Sequence, residues 1–179
     1  VEIYDSITGY IGIVVIDLSS MNINVINENS VELPNLAAII VDDNNLTDIR
    51  FILGNPNLVT LIISENPITN LSVISGLATD DLDNLELVDA LNINADNDLI
   101  NAFIDLPSLE TVDLTETRIT SISNCFNDLE NLVELAMDSN QLESISKSFN
   151  NIFGTYSEDN VINFASGRIG VIEYSFNGG

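Results

Sequence analysis

The sequence predicts a solenoid of short stacked coils, each carrying one strand. Three observations predict it. A short phrase recurs five times, as Leu33-Pro-Asn-Leu36, Asn55-Pro-Asn-Leu58, Leu82-Asp-Asn-Leu85, Leu106-Pro-Ser-Leu109 and Leu129-Glu-Asn-Leu132. Each phrase opens the same apolar pattern, L-x-x-L-x-L-x-x-N-x-L-x-x-I. The copies also return at nearly even spacing, with starts at 13, 36, 58, 85, 109, 132 and 159 separated by 23, 22, 27, 24, 23 and 27 residues. A period in this range is the mark of repeat architectures. Of the 35 apolar slots in seven copies, 33 are apolar, the exceptions being Asp98 and Asp159. At the chain's 45% hydrophobic content, chance would fill about half as many.

The elements of one copy follow from simple periodicities. In L-x-x-L-x-L the last two apolar residues alternate, as a strand with one buried face requires. The Asn that follows can turn the chain, its amide satisfying backbone groups in the bend. The two later apolar slots return the chain beneath the same core. One coil cannot bury its apolar edge alone, so neighbours stack and share a continuous core. The clearest copies are Leu36/Ile39/Val41/Asn44/Leu46/Ile49, Leu58/Leu61/Ile63/Asn66/Ile68/Leu71 and Leu132/Leu135/Met137/Asn140/Leu142/Ile145. Leu61, Leu114 and Leu135 are expected to be fully buried. Asn44, Asn66 and Asn140 are expected to be structural, in a ladder broken where Met21, Ile93, Thr117 and Gly167 occupy the Asn slot.

This pattern resembles the leucine-rich repeat family, and the resemblance runs from Ile13 to Ile172. It implies an α/β-type solenoid bent into an arc of about seven coils. A parallel sheet would line the concave face, with loops and short turns on the convex face. The whole chain, 1–179, reads as one domain: an N-terminal edge segment 1–12, repeats over 13–172 and a C-terminal edge segment 173–179. Extracellular members of the family commonly close their ends with cysteine-rich caps, which this chain lacks. Length variation falls in Gly76–Asn84, Asn97–Pro107 and Asn150–Glu158. Asn97–Leu106 is compatible with a turn or two of helix and the others read as turns and loops.

Composition then narrows the function. Twenty-eight Asp and Glu face four Lys and Arg, for a formal charge of −24. Such a surface repels phosphate backbones and anionic lipid, which argues against nucleic-acid and membrane partners. Apolar stretches such as Ile11–Ile16 are too short to span a bilayer. The chain has no histidine, so Ser-His and Cys-His catalysis and His-ligated metals are out of reach. The single Cys125 reads as a small buried hydrophobe. Acidic pairs such as Asp42-Asp43 and Asp80-Asp81 arise by chance in so acidic a chain, and a tight repeat leaves no insertion to build a pocket. Gly167-Arg-Ile-Gly170 lacks the third glycine and following helix of a phosphate loop. No enzyme activity and no cofactor are expected.

The outward strand slots define the concave face. One column reads Asp17, Ile40, Ile62, Asp89, Asp113, Ala136 and Asn163, and the next Ser19, Asp42, Ser64, Leu91, Thr115, Asp138 and Ala165. No aromatic or basic residue stands in either column, although interface hot spots favour Trp, Tyr and Arg. The face reads as a solvating acidic wall, as a dock for a basic protein, or as a weak calcium site at Asp42, Asp43 and Glu65, for which no dedicated spacing exists. The ends of the solenoid offer the other candidate surface. Tyr10, Ile11 and Ile13 in front and Ile172, Tyr174 and Phe176 behind are rich in strand formers, suited to head-to-tail assembly into a fibre. The same residues could instead fold back as modest caps. Two sequons, Asn45-Leu-Thr47 and Asn70-Leu-Ser72, and scarce Lys beside abundant Asp, Asn, Ser and Thr fit an exported microbial surface protein. A chain beginning at Val1 suggests that something upstream was removed. A self-assembling extracellular scaffold is the leading expectation, with a monomeric recognition module as the alternative.

Overall fold

Strand formation follows the alternating slots closely in the computed structural model, which describes residues 14–27, 33, 35–69, 71, 82–94, 106–122, 131–132, 134–137, 140, 144–145, 153–156, 162–164 and 171–174. The strands are β1 (Val14–Asp17), β2 (Leu36–Ile40), β3 (Thr60–Ile62), β4 (Leu87–Asp89), β5 (Thr111–Asp113), β6 (Ser121–Ile122), β7 (Glu134–Met137), β8 (Ser144–Ile145), β9 (Phe153–Tyr156), β10 (Ile162–Phe164) and β11 (Val171–Tyr174). Seven of them form one sheet in the order β1-β2-β3-β4-β5-β7-β11. Every pair in that sheet is parallel. The short strands β6 and β8 pair in parallel on their own, through Ser121↔Ser144 and Ile122↔Ile145.

Register places one residue of each coil in a single inward row: Ile16, Ile39, Leu61, Val88, Val112 and Leu135. All six are buried, and Leu61, Leu114 and Leu135 expose nothing. Removing one such side chain from water is worth roughly 1.5–3 kcal/mol. Just past the strands, successive coils stay bonded: the amides of Leu18, Val41, Ile63, Ala90 and Leu114 donate to the carbonyls of Ile40, Ile62, Asp89, Asp113 and Ala136. The turn that follows needs a left-handed residue. Ser20, Asp43, Glu65, Asn92 and Glu116 all have φ between 51° and 56°. Each immediately precedes the Asn slot and swings that slot back toward the core, a geometry non-glycine residues adopt at a cost.

On the convex side a 3-10 turn at Arg50–Ile52 buries Phe51 and Ile52 beneath the second coil. Asp48, just before the turn, accepts from the Arg50 amide at 2.8 Å and from Arg50 Nε at 2.6 Å. Both side chains of that pair are exposed, so it contributes little to stability.

The C-terminal third departs from the expected register. Ile162–Phe164 does not join the main sheet; it pairs antiparallel with Phe153–Tyr156. The seventh strand is β11, whose Ile172 and Tyr174 align with Leu135 and Met137. The physical reason lies in Asp159, which the expected register puts in a core slot where an unpaired carboxylate is costly. Ile169/Ile172/Tyr174 offers L-x-x-L-x-L without that penalty. Asn163 therefore does not extend the outward column of the main sheet, Ala165 lies outside the described residues, and about seven coils is more than the structure supports. Within Asn150–Glu158, expected as turn and loop, 153–156 is a strand. Strand β11 also crosses the expected boundary at 173. Residues 97–105 and Cys125 lie outside the described residues.

Candidate interaction surface

The Asn slots hold the coils together and so fix the outward face. Asn66 is buried; its Oδ1 accepts from the Leu46 amide at 2.9 Å, and its Nδ2 reaches the carbonyls of Val41, Ile63 and Ser64 at 2.9–3.0 Å. Asn44 does the same one coil earlier, accepting from Met21 and Ile23 and donating toward Leu18, Val41 and Asp42. Asn140 accepts from the Ile119 amide at 3.1 Å and donates to the Leu114 carbonyl at 2.7 Å. In each case an amide of one coil satisfies the backbone of the coil before it. The ladder is interrupted at Ile93, which is buried and apolar, while Thr117 partly bridges its gap with Oγ1 2.7 Å from Asn140 Oδ1.

Three supporting asparagines escaped sequence reasoning. Asn55 occupies a slot where other copies carry Leu, yet it is fully buried. It accepts from the Leu33 amide at 3.0 Å and donates toward the carbonyls of Ile52 and Leu53. Its signal was available: a polar residue at an otherwise apolar phrase position. Asn84 and Asn131, both in the phrase itself, donate to the carbonyls of Pro56 and Pro107 one coil earlier, each at 2.8 Å.

On that frame the outward row of the sheet is Asp17, Ile40, Ile62, Asp89, Asp113 and Ala136, in direct register across six strands. Of the concave-face residues picked out by sequence, Asp17, Ile40, Ile62, Asp89 and Asp113 thus stand in one row. Asp42 follows on the second coil; Asp138 lies outside the described residues. A parallel outward row, Val15, Ala38, Thr60, Leu87, Thr111 and Glu134, was missed, because the sequence reading followed only the slots at and beyond the two strand leucines. Its signal was the same two-residue alternation carried one step back. Together the rows make an apolar patch of Ala38, Ile40, Ile62 and Leu87 with carboxylates on either side. The patch is half-buried, and Val15 at its edge is exposed.

The row carboxylates share one geometry. Oδ1 of Asp17, Asp89 and Asp113 accepts the amide of the residue two on, Ser19, Leu91 and Thr115, at 3.0, 3.1 and 2.8 Å. Asp17 also takes the Ser19 hydroxyl at 2.5 Å. That hydroxyl, and then the Ser19 amide, hold the Asp17 carboxyl below its ordinary value, outweighing a slight opposing effect of burial. Each bond pins its carboxylate through Oδ1.

The other candidates are placed differently. Asp43 Oδ2 accepts from Ser20 Oγ at 2.8 Å and Glu65 Oε2 from Asn92 Nδ2 at 2.7 Å. Among the described residues no three carboxylate, histidine or cysteine side chains converge to hold a metal ion. A shallow polar cleft of about 370 Å³ opens between Glu65, Asn92, Glu116 and Arg118. Tyr10, Ile11, Ile13 and Phe176 lie outside the described residues, while Ile172 and Tyr174 belong to β11, the outer strand opposite β1. No described helix is long and apolar enough to cross a membrane.

Comparison with known proteins places this geometry. The family model described as "Leucine rich repeat" matches residues 100–142. An internalin (InlF) of Listeria monocytogenes superposes with a TM-score of 0.53 at 20% identity, over 73% of this chain and 42% of its own. Internalin C2 of the same organism gives 0.54 at 20%, over 72% and 63%. Toll of Drosophila, in its complex with Spätzle, gives 0.57 at 20%, over 72% and 18%. The chain thus spans less than two thirds of each of these structures. Among curated proteins nothing matches it in sequence.

Proposed function

We propose that the chain is a non-enzymatic leucine-rich-repeat recognition scaffold that docks a basic protein on the concave face of its sheet. The observation that carries this reading is the register row Asp17–Ile40–Ile62–Asp89–Asp113, an apolar centre between pinned carboxylates. Apolar contact supplies affinity, and outward carboxylates supply orientation and rate of encounter. Toll bound to Spätzle is a precedent for a protein ligand on this architecture. Display outside the cell fits the composition and the likeness to internalins and Toll. An unbiased peptide-display selection against the full chain tests it, with amide-exchange protection locating the site. Lys- and Arg-rich binders that protect β1 to β5 are expected; acidic binders, or protection confined to the convex side, would overturn it.

End-to-end self-assembly is a second reading, favoured by one observation. Val15, Met21 and Val25, exposed by 58%, 54% and 71%, all sit on the coil of the outer strand β1. An outer strand with apolar neighbours is suited to pairing with another chain. In this reading Tyr10, Ile11 and Ile13 meet Ile172, Tyr174 and Phe176 of the next copy, and fibres form if the contact does not close. Sedimentation over a range of concentrations tests it: mass should grow with concentration, and replacing Tyr174 and Phe176 by Asp should leave a folded monomer. A wild-type chain that stays at 19.5 kDa throughout would rule this reading out.

A further inference from the structure

The spacing of the concave row identifies the secondary structure of its ligand, and we infer that the face takes an amphipathic α-helix lying across the strands, with a basic–apolar–apolar–basic–basic sequence of contacts. The inference rests on the concave-face reading above and adds to it the shape and register of the partner.

Adjacent strands lie about 4.8 Å apart, so the row from Asp17 to Asp113 advances in four equal steps over about 19 Å. An α-helix advances about 5.4 Å per turn. A helix laid along the row therefore presents one residue above each strand, and the excess over four turns is only about 2.4 Å. Steps of three or four residues and the length of a Lys side chain absorb that difference. An extended peptide in the same direction repeats its facing side chain about every 6.8 Å and drifts a whole strand out of step within three contacts. The row thus matches a helix and mismatches a strand.

Chemistry along the row then writes the contact pattern. A basic residue at i meets Asp17, and apolar residues near i+4 and i+7 cover Ile40 and Ile62. Basic residues near i+11 and i+14 meet Asp89 and Asp113. The second outward row supports the same helix, because Ala38 and Leu87 add apolar surface beside Ile40 and Ile62, with the small Thr60 between them. The carboxylates are ready for the contact: Oδ1 of each is already held by the amide two residues on, so little freedom is lost when Oδ2 takes a cation. The chain's own cations do not compete within the row, which contains only acidic and apolar residues.

Two stapled helical peptides of about four turns, identical in composition, test the inference on the full chain by calorimetry. One carries Lys and Leu at the spacing above; the other spreads the same residues around the helix. The spaced peptide should bind at least about tenfold more tightly and protect the amides of β1 to β5. Asp89→Asn and Asp113→Asn should each weaken it up to about fivefold, and added salt should weaken it further. Equal binding of the two peptides, with protection still on β1 to β5, would overturn the helical register while leaving the concave-face reading standing. Protection elsewhere would overturn both.

Discussion

Replacing Asn66 by Leu keeps much of the side-chain volume and deletes its hydrogen bonds, so it isolates what the ladder does for stability. Three carbonyls lie within 3.0 Å of Asn66 Nδ2, but two of them have other donors: Val41 also faces Asn44 Nδ2, and Ser64 also accepts from the Asp43 amide. The groups left without their partner are the Leu46 amide and the Ile63 carbonyl. Both residues are buried, so water cannot substitute for the amide. An unsatisfied buried polar group costs about 1–3 kcal/mol, which puts the pair at roughly 2–6 kcal/mol before any packing gain from Leu. That is a large part of the about 5–15 kcal/mol that holds a typical domain folded. Urea denaturation followed by circular dichroism measures it: the midpoint should fall with the slope unchanged, since the surface exposed on unfolding is nearly the same. The parallel change Asn44→Leu should cost less, because the Met21 and Ile23 amides it serves lie only part-buried, within reach of water. A loss below about 1 kcal/mol for Asn66→Leu would refute the view that these amides are satisfied only by the ladder.

Leu114→Ala should lower stability by about 2–5 kcal/mol in the same assay, and a near-neutral result would mean that the fully buried inward slot relaxes without a cavity. Glu116 holds φ 56° with an exposed side chain, so Glu116→Gly should raise the unfolding free energy by up to about 1 kcal/mol; a loss would show that this turn is not strained. Ser19→Ala should raise the Asp17 carboxyl toward its ordinary value in an NMR titration. Because folding depresses that pKa, its contribution to stability is present above the unfolded value and is lost as pH falls through the folded one; an unchanged Asp17 midpoint in the variant would deny the hydroxyl its role. With a formal charge of −24, moderate NaCl should raise the urea midpoint by screening self-repulsion, and a fall would point to stabilising attractions outweighing it.

The strand slots of the first six copies were legible because two local rules fix them. Period-two alternation sets which side chain faces in, and a one-residue slip would turn Leu61 or Leu135 out to solvent. The Asn slot was legible for a similar reason: a turn that buries backbone groups must supply partners for them, and few side chains both donate and accept. The row Asp17–Ile40–Ile62–Asp89–Asp113 followed from the same register.

Tertiary structure decided the rest, where competing choices were locally equivalent. Asn55 looks like a turn residue beside Pro56, and only its burial against Leu33 of the preceding coil reveals a second support. Both 162–164 and 171–174 satisfy strand alternation; which one extends the sheet is decided by pairing with β7 across more than thirty residues, a choice to which the cost of Asp159 in a core slot contributes. The pinned carboxylates likewise depend on backbone direction at the strand exits, since an Asp in sequence does not show which amide will meet it. The sequence by itself determined the coil, its period and its buried face, because these are set by how one coil meets water. Only the tertiary structure decided which residues close the stack and how the outward groups are aimed, because those are set by how coils meet each other.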